Sequence, residues 1–226
     1  MFGVDTTNLR SAIIKYIKAG TAIQNSMDRV IDPVTANDLR LLVFDLTEDD
    51  IKKLLTDHIL KQIGENRQKV DEMVNASEIR ALSNTEQLAY FAVLHARAQQ
   101  VGSDAGLFSY QSGLRLADNE LQLITEYCVG KNWDKVERIG LNLLRLATDL
   151  HHHPYVAFVA AYYLGLADYF RKNYERAKNN WESALTFYPG AKELILNSQK
   201  SDQVENIDYF YETVQIGLKD LNDMHA

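Results

Sequence analysis

Residues that break helices are scarce along this chain, and that scarcity limits the folds it can adopt. Its 226 residues include 3 prolines and 11 glycines, about half of their average usage. Folds built from many short strands need turn residues roughly every 8–12 positions. Apolar residues make up 46% of the chain, which is enough for a packed core. The composition therefore predicts an all-α protein.

The spacing of the apolar residues favours the same fold class. They follow one another at intervals of three and four, as in amphipathic helices. The stretches Thr47–Asp50 and Ser83–Glu86 carry capping-box signals, and the first of them predicts one long helix through Val74. Asp32-Pro33 predicts the end of an earlier helix. The segment 41–44 fits either a short helix or a short strand.

The second half of the chain has the pattern of antiparallel helix pairs. Linkers of a few residues make consecutive helices antiparallel neighbours. A soft boundary near residue 80 separates an N-terminal region of long helices, 1–80, from a paired-helix region, 81–226, whose last helix acts as a cap. The predicted helices cover roughly 118–130, 133–149, 154–171, 174–187 and 202–222.

Charge and cysteine content exclude several function classes. The formal net charge is −7, whereas broad nucleic-acid binding needs a basic surface to replace the counterions of phosphate. The longest apolar runs fall short of the ~18 residues that a membrane-spanning helix needs. Cys128 is the only cysteine, so no internal disulfide can form, and the N-terminus lacks a signal-peptide pattern. We expect a cytoplasmic protein in a reducing compartment.

The most specific pattern lies between Phe158 and Ala191. Within it, a Leu-Gly step, two alanines, a tryptophan and a proline stand at the offsets of a helix–turn–helix unit of about 34 residues. This segment resembles a tetratricopeptide repeat, and a weaker copy lies at 117–150. Ala161 and Asp168 depart from the family, because aromatic residues are usual at both positions. The matching positions are Leu164, Gly165, Ala177, Trp181, Ala184 and Pro189.

The resemblance implies a short right-handed superhelix of stacked helix pairs. Gly165 lacks bulk, so two helix backbones can approach, while Trp181 fills the space around that contact. Pro189 cannot continue a helix and is expected to close the unit. In the weaker copy, the run Asn132–Val136 repeats the run Asn173–Ala177. Stacked units bury their faces only against one another, so at least three helix pairs are expected.

In the resembled family, the first helix of each unit lines a concave face that binds peptides. The family's carboxylate clamp uses Lys and Asn at positions held here by Tyr162 and Leu166, and by Leu121 and Thr125 in the weaker copy. The resemblance therefore implies an apolar surface rather than a receptor for chaperone tails. An apolar peptide or helix of another protein would fit it, or a terminal helix of the same chain would fill it. The partner-binding candidates are Val159, Tyr162, Leu166, Tyr169 and Phe170.

Residues that could carry chemistry also have simpler structural interpretations. The run His151–His153 could touch a metal, but it lacks the i, i+3 or i+4 spacing of helical ligands, and it also suits a helix cap or an exposed loop. His95 is either a core residue or a base, and Cys128 is either a buried thiol or a nucleophile. No nucleotide-binding loop, hydrolase elbow or metal-binding motif is present. We predict no catalytic residue, no metal and no cofactor.

These observations favour a non-catalytic protein–protein interaction module. It would act as an adaptor, scaffold or assembly factor that presents a curved helical surface to a peptide or helix of a partner. A peptide-sensing regulator is the alternative, although residues 1–80 show no output module. An enzyme on a helical scaffold is the third hypothesis.

Overall fold

The computed structural model describes residues 3–26, 49–198 and 201–224, and every regular element in these ranges is a helix. The all-α fold class is therefore confirmed for the described part of the chain. The predicted helix end at Asp32-Pro33, the segment 41–44 and the residues Thr47 and Glu48 lie outside the described residues.

The described helices are numbered in chain order, and short turns join most of them. A 3₁₀ turn, Gly102–Ala105, joins α6 to α7. The helices are α1 (Thr6–Ser26), α2 (49–54), α3 (Asp57–Gly64), α4 (Arg67–Val74), α5 (Ser77–Arg80), α6 (Asn84–Val101), α7 (Gly106–Val129), α8 (Trp133–Asp149), α9 (Pro154–Phe170), α10 (Tyr174–Asn197) and α11 (Ser201–Met224).

The single long helix predicted behind Thr47–Asp50 is wrong, because α2, α3 and α4 take its place. The Thr56 hydroxyl accepts a hydrogen bond from the Ile59 N–H at 3.4 Å, and the Asn66 side chain accepts from two N–H groups of α4. Each of these side chains caps a new helix start. The buried apolar stripe continues across both breaks, so spacing alone could not reveal them.

Contacts divide the chain into two units between Asn119 and Glu120, within α7. The first unit is Met1–Asn119 and the second unit is Glu120–Ala226. The boundary near residue 80 rests on a change of sequence pattern, and it stays a prediction.

Helix α6 packs against α1, α3 and the 3₁₀ turn in the first unit. It begins at the predicted capping box, in which Ser83 and Glu86 each accept a hydrogen bond from the other's N–H, and this prediction is confirmed. The Tyr90 hydroxyl donates to the Met73 carbonyl of α4 at 2.9 Å. The buried Arg10 of α1 donates to another carbonyl of α4 at 2.9 Å. The Tyr90 hydroxyl and one terminal nitrogen of Arg10 thereby find backbone acceptors on α4.

Helix α9 is the central element of the second unit. It packs against α8, α10 and α11, and 12 of its 17 residues are buried. Pro154 occupies its first turn, where the missing N–H would have had no helical acceptor. The run behind it is apolar on nearly all sides, as expected of a helix with little solvent-facing surface. Every site residue predicted from the sequence lies on α9 or α10.

The helix bounds of the second unit agree in part with the predicted ones. The bounds 133–149 are confirmed for α8, whereas α7 begins at Gly106 rather than near 118. The prediction that Pro189 closes a helix is wrong, because α10 continues for eight residues beyond it. The proline leaves one carbonyl of the preceding turn without its helical donor, but burial of Ala191 and Ile195 anchors the last part of α10.

Candidate functional site

Two turns of the second unit share one backbone arrangement. In the turn between α7 and α8, the Asn132 N–H donates to the Tyr127 carbonyl at 2.9 Å. In the turn between α9 and α10, the Asn173 N–H donates to the Asp168 carbonyl at 2.8 Å. Each bond connects residues five positions apart and satisfies a carbonyl at a helix end. The two turns thus stand at the same step of two successive helix pairs.

The spacing of these turns differs from that of the resembled family. Asn132 and Asn173 are 41 residues apart, whereas a tetratricopeptide unit spans about 34. The residue before each asparagine, Lys131 or Lys172, is left-handed, with φ of 55° and 65°. The shared turn supports an internal repeat, while membership of the family stays a prediction.

Close helix approach in the second unit depends on two glycines that face one tryptophan. Trp181 of α10 is 2% exposed, and a Cβ built at Gly165 of α9 would lie 2.2 Å from its ring. A Cβ built at Gly217 of α11 would lie 2.4 Å from other atoms of that ring. Both helices reach the ring because these residues lack side chains. The other predicted packing residues, Leu164, Ala177 and Ala184, are buried as well.

The C-terminal helix α11 covers the middle of the predicted partner-binding face. The Phe210 ring stacks on the Tyr162 ring, with centroids 4.5 Å apart and 24° between the planes. Tyr162 and Val159 are both buried, and burial raises the pKa of the Tyr162 hydroxyl. The sequence left two possible occupants of this face, a segment of another protein or a terminal helix of the same chain. At Tyr162 the occupant is the chain's own C-terminal helix, α11.

The C-terminal end of α9, the helix that carries Tyr162, presents an exposed aromatic surface. Phe170, the last residue of α9, is 56% exposed. Its ring stacks on that of Trp133, the first residue of α8, with centroids 4.6 Å apart and 9° between the planes. Tyr169 is half-buried and contacts both Phe170 and Trp181, with centroids 5.6 and 5.5 Å away. We call Trp133, Tyr169 and Phe170 the aromatic edge. The remaining predicted contact residue, Leu166, lies one helical turn before Phe170 and is half-buried.

Ion pairs fix the turn that follows Phe170 onto α8. The Arg171 guanidinium donates to the carboxylates of Asp134 and Glu137, and Arg176 donates to Glu137 at 2.7 Å. Because two guanidinium groups donate to it, the Glu137 carboxyl has a pKa below its usual range. These charge-assisted bonds join α8 to the start of α10 and hold the stacked rings of the aromatic edge in place.

A buried carboxylate completes this arrangement where the resembled family has a tyrosine. Asp168 is almost fully buried, and its carboxylate accepts from the side-chain amides of Asn180 at 2.9 Å and Asn173 at 3.3 Å. The Arg176 guanidinium lies 3.5 Å away. A buried charge needs such partners. The departure from the family pattern therefore has a structural role, because it ties the turn between α9 and α10 to α10.

The histidine run forms the turn between α8 and α9. His151 and His152 are left-handed, with φ of 57° and 59°. The Nδ1 atom of His153 accepts a hydrogen bond from the Val156 N–H at 3.4 Å and caps α9. Burial lowers the pKa of the His153 imidazole, which favours the neutral ring that an acceptor must be. Within the described ranges, no group of three His, Cys, Asp or Glu side chains is placed to hold a metal ion.

The two other candidates for chemistry occupy structural surroundings. His95 is buried on α6, and its Nδ1 lies 2.9 Å from the Ser109 carbonyl, to which it donates. Cys128 is half-buried, and burial raises the pKa of its thiol. A raised pKa reduces the thiolate fraction that a nucleophile needs. Both environments favour the structural interpretation of these residues.

No protein-family model, no curated protein and no solved structure matches the chain. Among the described residues, no helix has both the length and the apolar character that a membrane span requires. The function must therefore be inferred from the surface of the second unit itself.

Sequence patterns did not reveal three residues that shape this surface. The match of the run Asn132–Val136 to the run Asn173–Ala177 pairs Trp133 with Tyr174, but it gave no sign that the Trp133 ring stacks on Phe170. Phe210 was visible only as part of an apolar helix side, with no indication of what it covers. Arg171 carried no signal, because its carboxylate partners stand 34 and 37 positions away in the chain.

Proposed function

We propose that this protein is a non-catalytic protein–protein interaction module that takes a peptide or helix of another protein on the aromatic edge. It would act as an adaptor, scaffold or assembly factor in a reducing compartment, with the helix pairs of the second unit stacked as a short tetratricopeptide-like superhelix. One observation carries the proposal: Phe170 is 56% exposed although its ring is already held against Trp133.

A fixed and exposed aromatic ring suits recognition. Aromatic residues, phenylalanine included, are enriched in the cores of protein–protein interfaces. Because the Phe170 ring is stacked and its turn is tied down by Arg171, a partner would lose little affinity to ordering it. Full burial of such a side chain contributes up to about 1.5–3 kcal/mol. The aromatic edge can therefore anchor an apolar side chain of a partner.

The part of α9 around Tyr162 is covered by α11, which leaves the aromatic edge as the accessible part of the predicted face. Tyr162 stacks on Phe210 of the same chain, so a partner would have to displace α11 to reach it. Phe170 needs no such displacement. The residues proposed to contact a partner are consequently Phe170 and Trp133, with Tyr169 beneath them.

Affinity capture from native cell extract tests the proposal through a matched pair of variants. Phe170→Ala removes the exposed ring, and Leu196→Ala removes an apolar side chain of α10 with nearly the same exposure, 57%. We expect quantitative mass spectrometry to show that Phe170→Ala loses most of the captured partner while Leu196→Ala retains it. Capture of the same partners by both variants, at wild-type levels, would contradict the proposal.

A further inference from the structure

Helix α11 presents a second, outward-facing apolar stripe. Its inner side packs in the second unit through Ile207, Val214 and Leu221, all buried. Tyr209 and Ile216 are 63% and 62% exposed, and they stand seven residues apart. Seven residues are two helical turns, so the two side chains share one face of the helix. This outer stripe belongs to a different helix from the aromatic edge.

The surroundings of the stripe are strongly acidic. The sequence of α11 holds six carboxylates and one lysine, a net charge of −5 out of the chain's −7. Glu212 follows Tyr209 by three residues and precedes Ile216 by four, and Asp220 follows Ile216 by four. Residues at these intervals are neighbours on a helix surface. Glu212 and Asp220 are both exposed, as is Lys219, three residues after Ile216, so two carboxylates and one ammonium border the stripe, with a net negative charge.

One carboxylate of α11 serves the fold instead. Asp208 accepts from the Tyr188 hydroxyl at 2.6 Å and from the Lys192 ammonium at 3.0 Å. The Tyr188 ring also stacks on Tyr211, with centroids 4.0 Å apart. These contacts attach α11 to α10. The outer face is therefore held in position, while Glu212 and Asp220 stay exposed.

We propose that the outer face of α11 binds a basic amphipathic helix of another protein. Such a helix would place apolar residues against Tyr209 and Ile216 and Lys or Arg side chains against Glu212 and Asp220. A second copy of this chain does not fit, because two α11 helices would bring charges of −5 against each other. Nucleic acid carries the same sign of charge as α11 and is disfavoured as well.

Fluorescence anisotropy of the full chain with designed peptides tests this assignment. The probe is a labelled 18-residue amphipathic helix of Leu and Lys, and its counterpart has Glu in place of Lys. We expect the Lys peptide to bind, with affinity falling as salt rises, and the Glu peptide to show no binding. Equal binding of the two peptides, or no binding of the Lys peptide, would overturn the proposal.

Two variant pairs assign the binding to the outer face. The pair Glu212→Lys with Asp220→Lys should weaken the Lys peptide roughly tenfold. The control pair Asp149→Lys with Glu175→Lys makes the same change in net charge on exposed residues of α8 and α10 and should change affinity less than about twofold. An equal loss in both pairs would show general charge attraction and reject the site.

The apolar stripe is tested separately from the charges. Tyr209→Ser with Ile216→Ser should also weaken the Lys peptide roughly tenfold, because truncated apolar anchors lose their burial. An unchanged affinity would reject the stripe as a docking surface. Leu196→Ala, which truncates a similarly exposed apolar side chain of α10, should leave the peptide affinity as in wild type. The peptide variants change α11 and the capture variant changes Phe170, so failure of this proposal and failure of the aromatic edge are distinguishable.

Discussion

Replacing Gly165 by alanine is expected to destabilise the second unit by about 2 kcal/mol. The new Cβ would lie 2.2 Å from the Trp181 ring, and a Cβ at Gly217 would lie 2.4 Å from that ring, so the ring has little room on either helix. Overpacking a buried site costs up to about 3 kcal/mol. The change from glycine to alanine within a helix returns about 1 kcal/mol, which leaves the expected loss.

Urea unfolding followed by tryptophan fluorescence measures this loss, because both tryptophans, Trp133 and Trp181, lie in the second unit. Gly130 is the matched control within the second unit: it is exposed, and a Cβ built on it would lie no closer than 3.5 Å to the nearest atom, a carbonyl oxygen. Gly130→Ala should change stability by less than about 1 kcal/mol. A urea midpoint for Gly165→Ala at or above that of wild type would refute the close packing of α9 against Trp181.

The remaining predictions concern a cap, an ion pair and a proline. His153→Ala should cost about 1 kcal/mol at pH 8 and less at pH 5. The pKa of His153 is lowered in the folded chain, so as pH falls the unfolded chain takes up the proton first. The stability contribution of the cap is therefore complete above about pH 6.5 and is lost as pH falls through the folded pKa. An equal cost at both pH values in urea titrations would oppose the cap. Glu137→Gln should cost about 1 kcal/mol at pH 7. Because the folded pKa of Glu137 is lowered, the ion pair contributes to stability above about pH 4.5, and this contribution is lost as pH falls through the folded pKa. A difference in urea midpoint that does not change with pH would oppose the ion pair. Pro189→Ala restores a helical N–H and should raise the free energy of unfolding of the second unit by about 1–3 kcal/mol, and its thermal midpoint with it. An unchanged midpoint would indicate that the proline does not interrupt α10.

The sequence predicted best those features that depend on neighbours in the chain. The capping box at Ser83 and the bounds of α8 follow from local hydrogen bonding and apolar spacing, and both are confirmed. Local signals also misled: Pro189 breaks an isolated helix, but burial of the residues beyond it continues α10. The apolar stripe through residues 51–74 hid two helix breaks, because Thr56 and Asn66 cap new helices without disturbing the spacing.

The candidate surface was predictable only in part, because spacing shows which side of a helix is apolar but not what covers it. Tyr162 and Phe170 belong to the same predicted face, yet Phe210 covers the first and leaves the second 56% exposed. Phe210 lies 48 residues beyond Tyr162 in the chain, and Trp133 lies 37 residues before Phe170. Such long-range pairings depend on how the helices pack, which the pattern of one helix does not specify.

Site-specific photo-cross-linking tests directly whether a partner protein binds at the aromatic edge. Benzoylphenylalanine is placed at Phe170 in one copy of the chain and at Leu196 in another, since the two side chains are 56% and 57% exposed. After irradiation in native extract, we expect a discrete cross-linked partner from position 170 and none from position 196. Equal cross-linking from both positions, or none from position 170, would contradict this expectation.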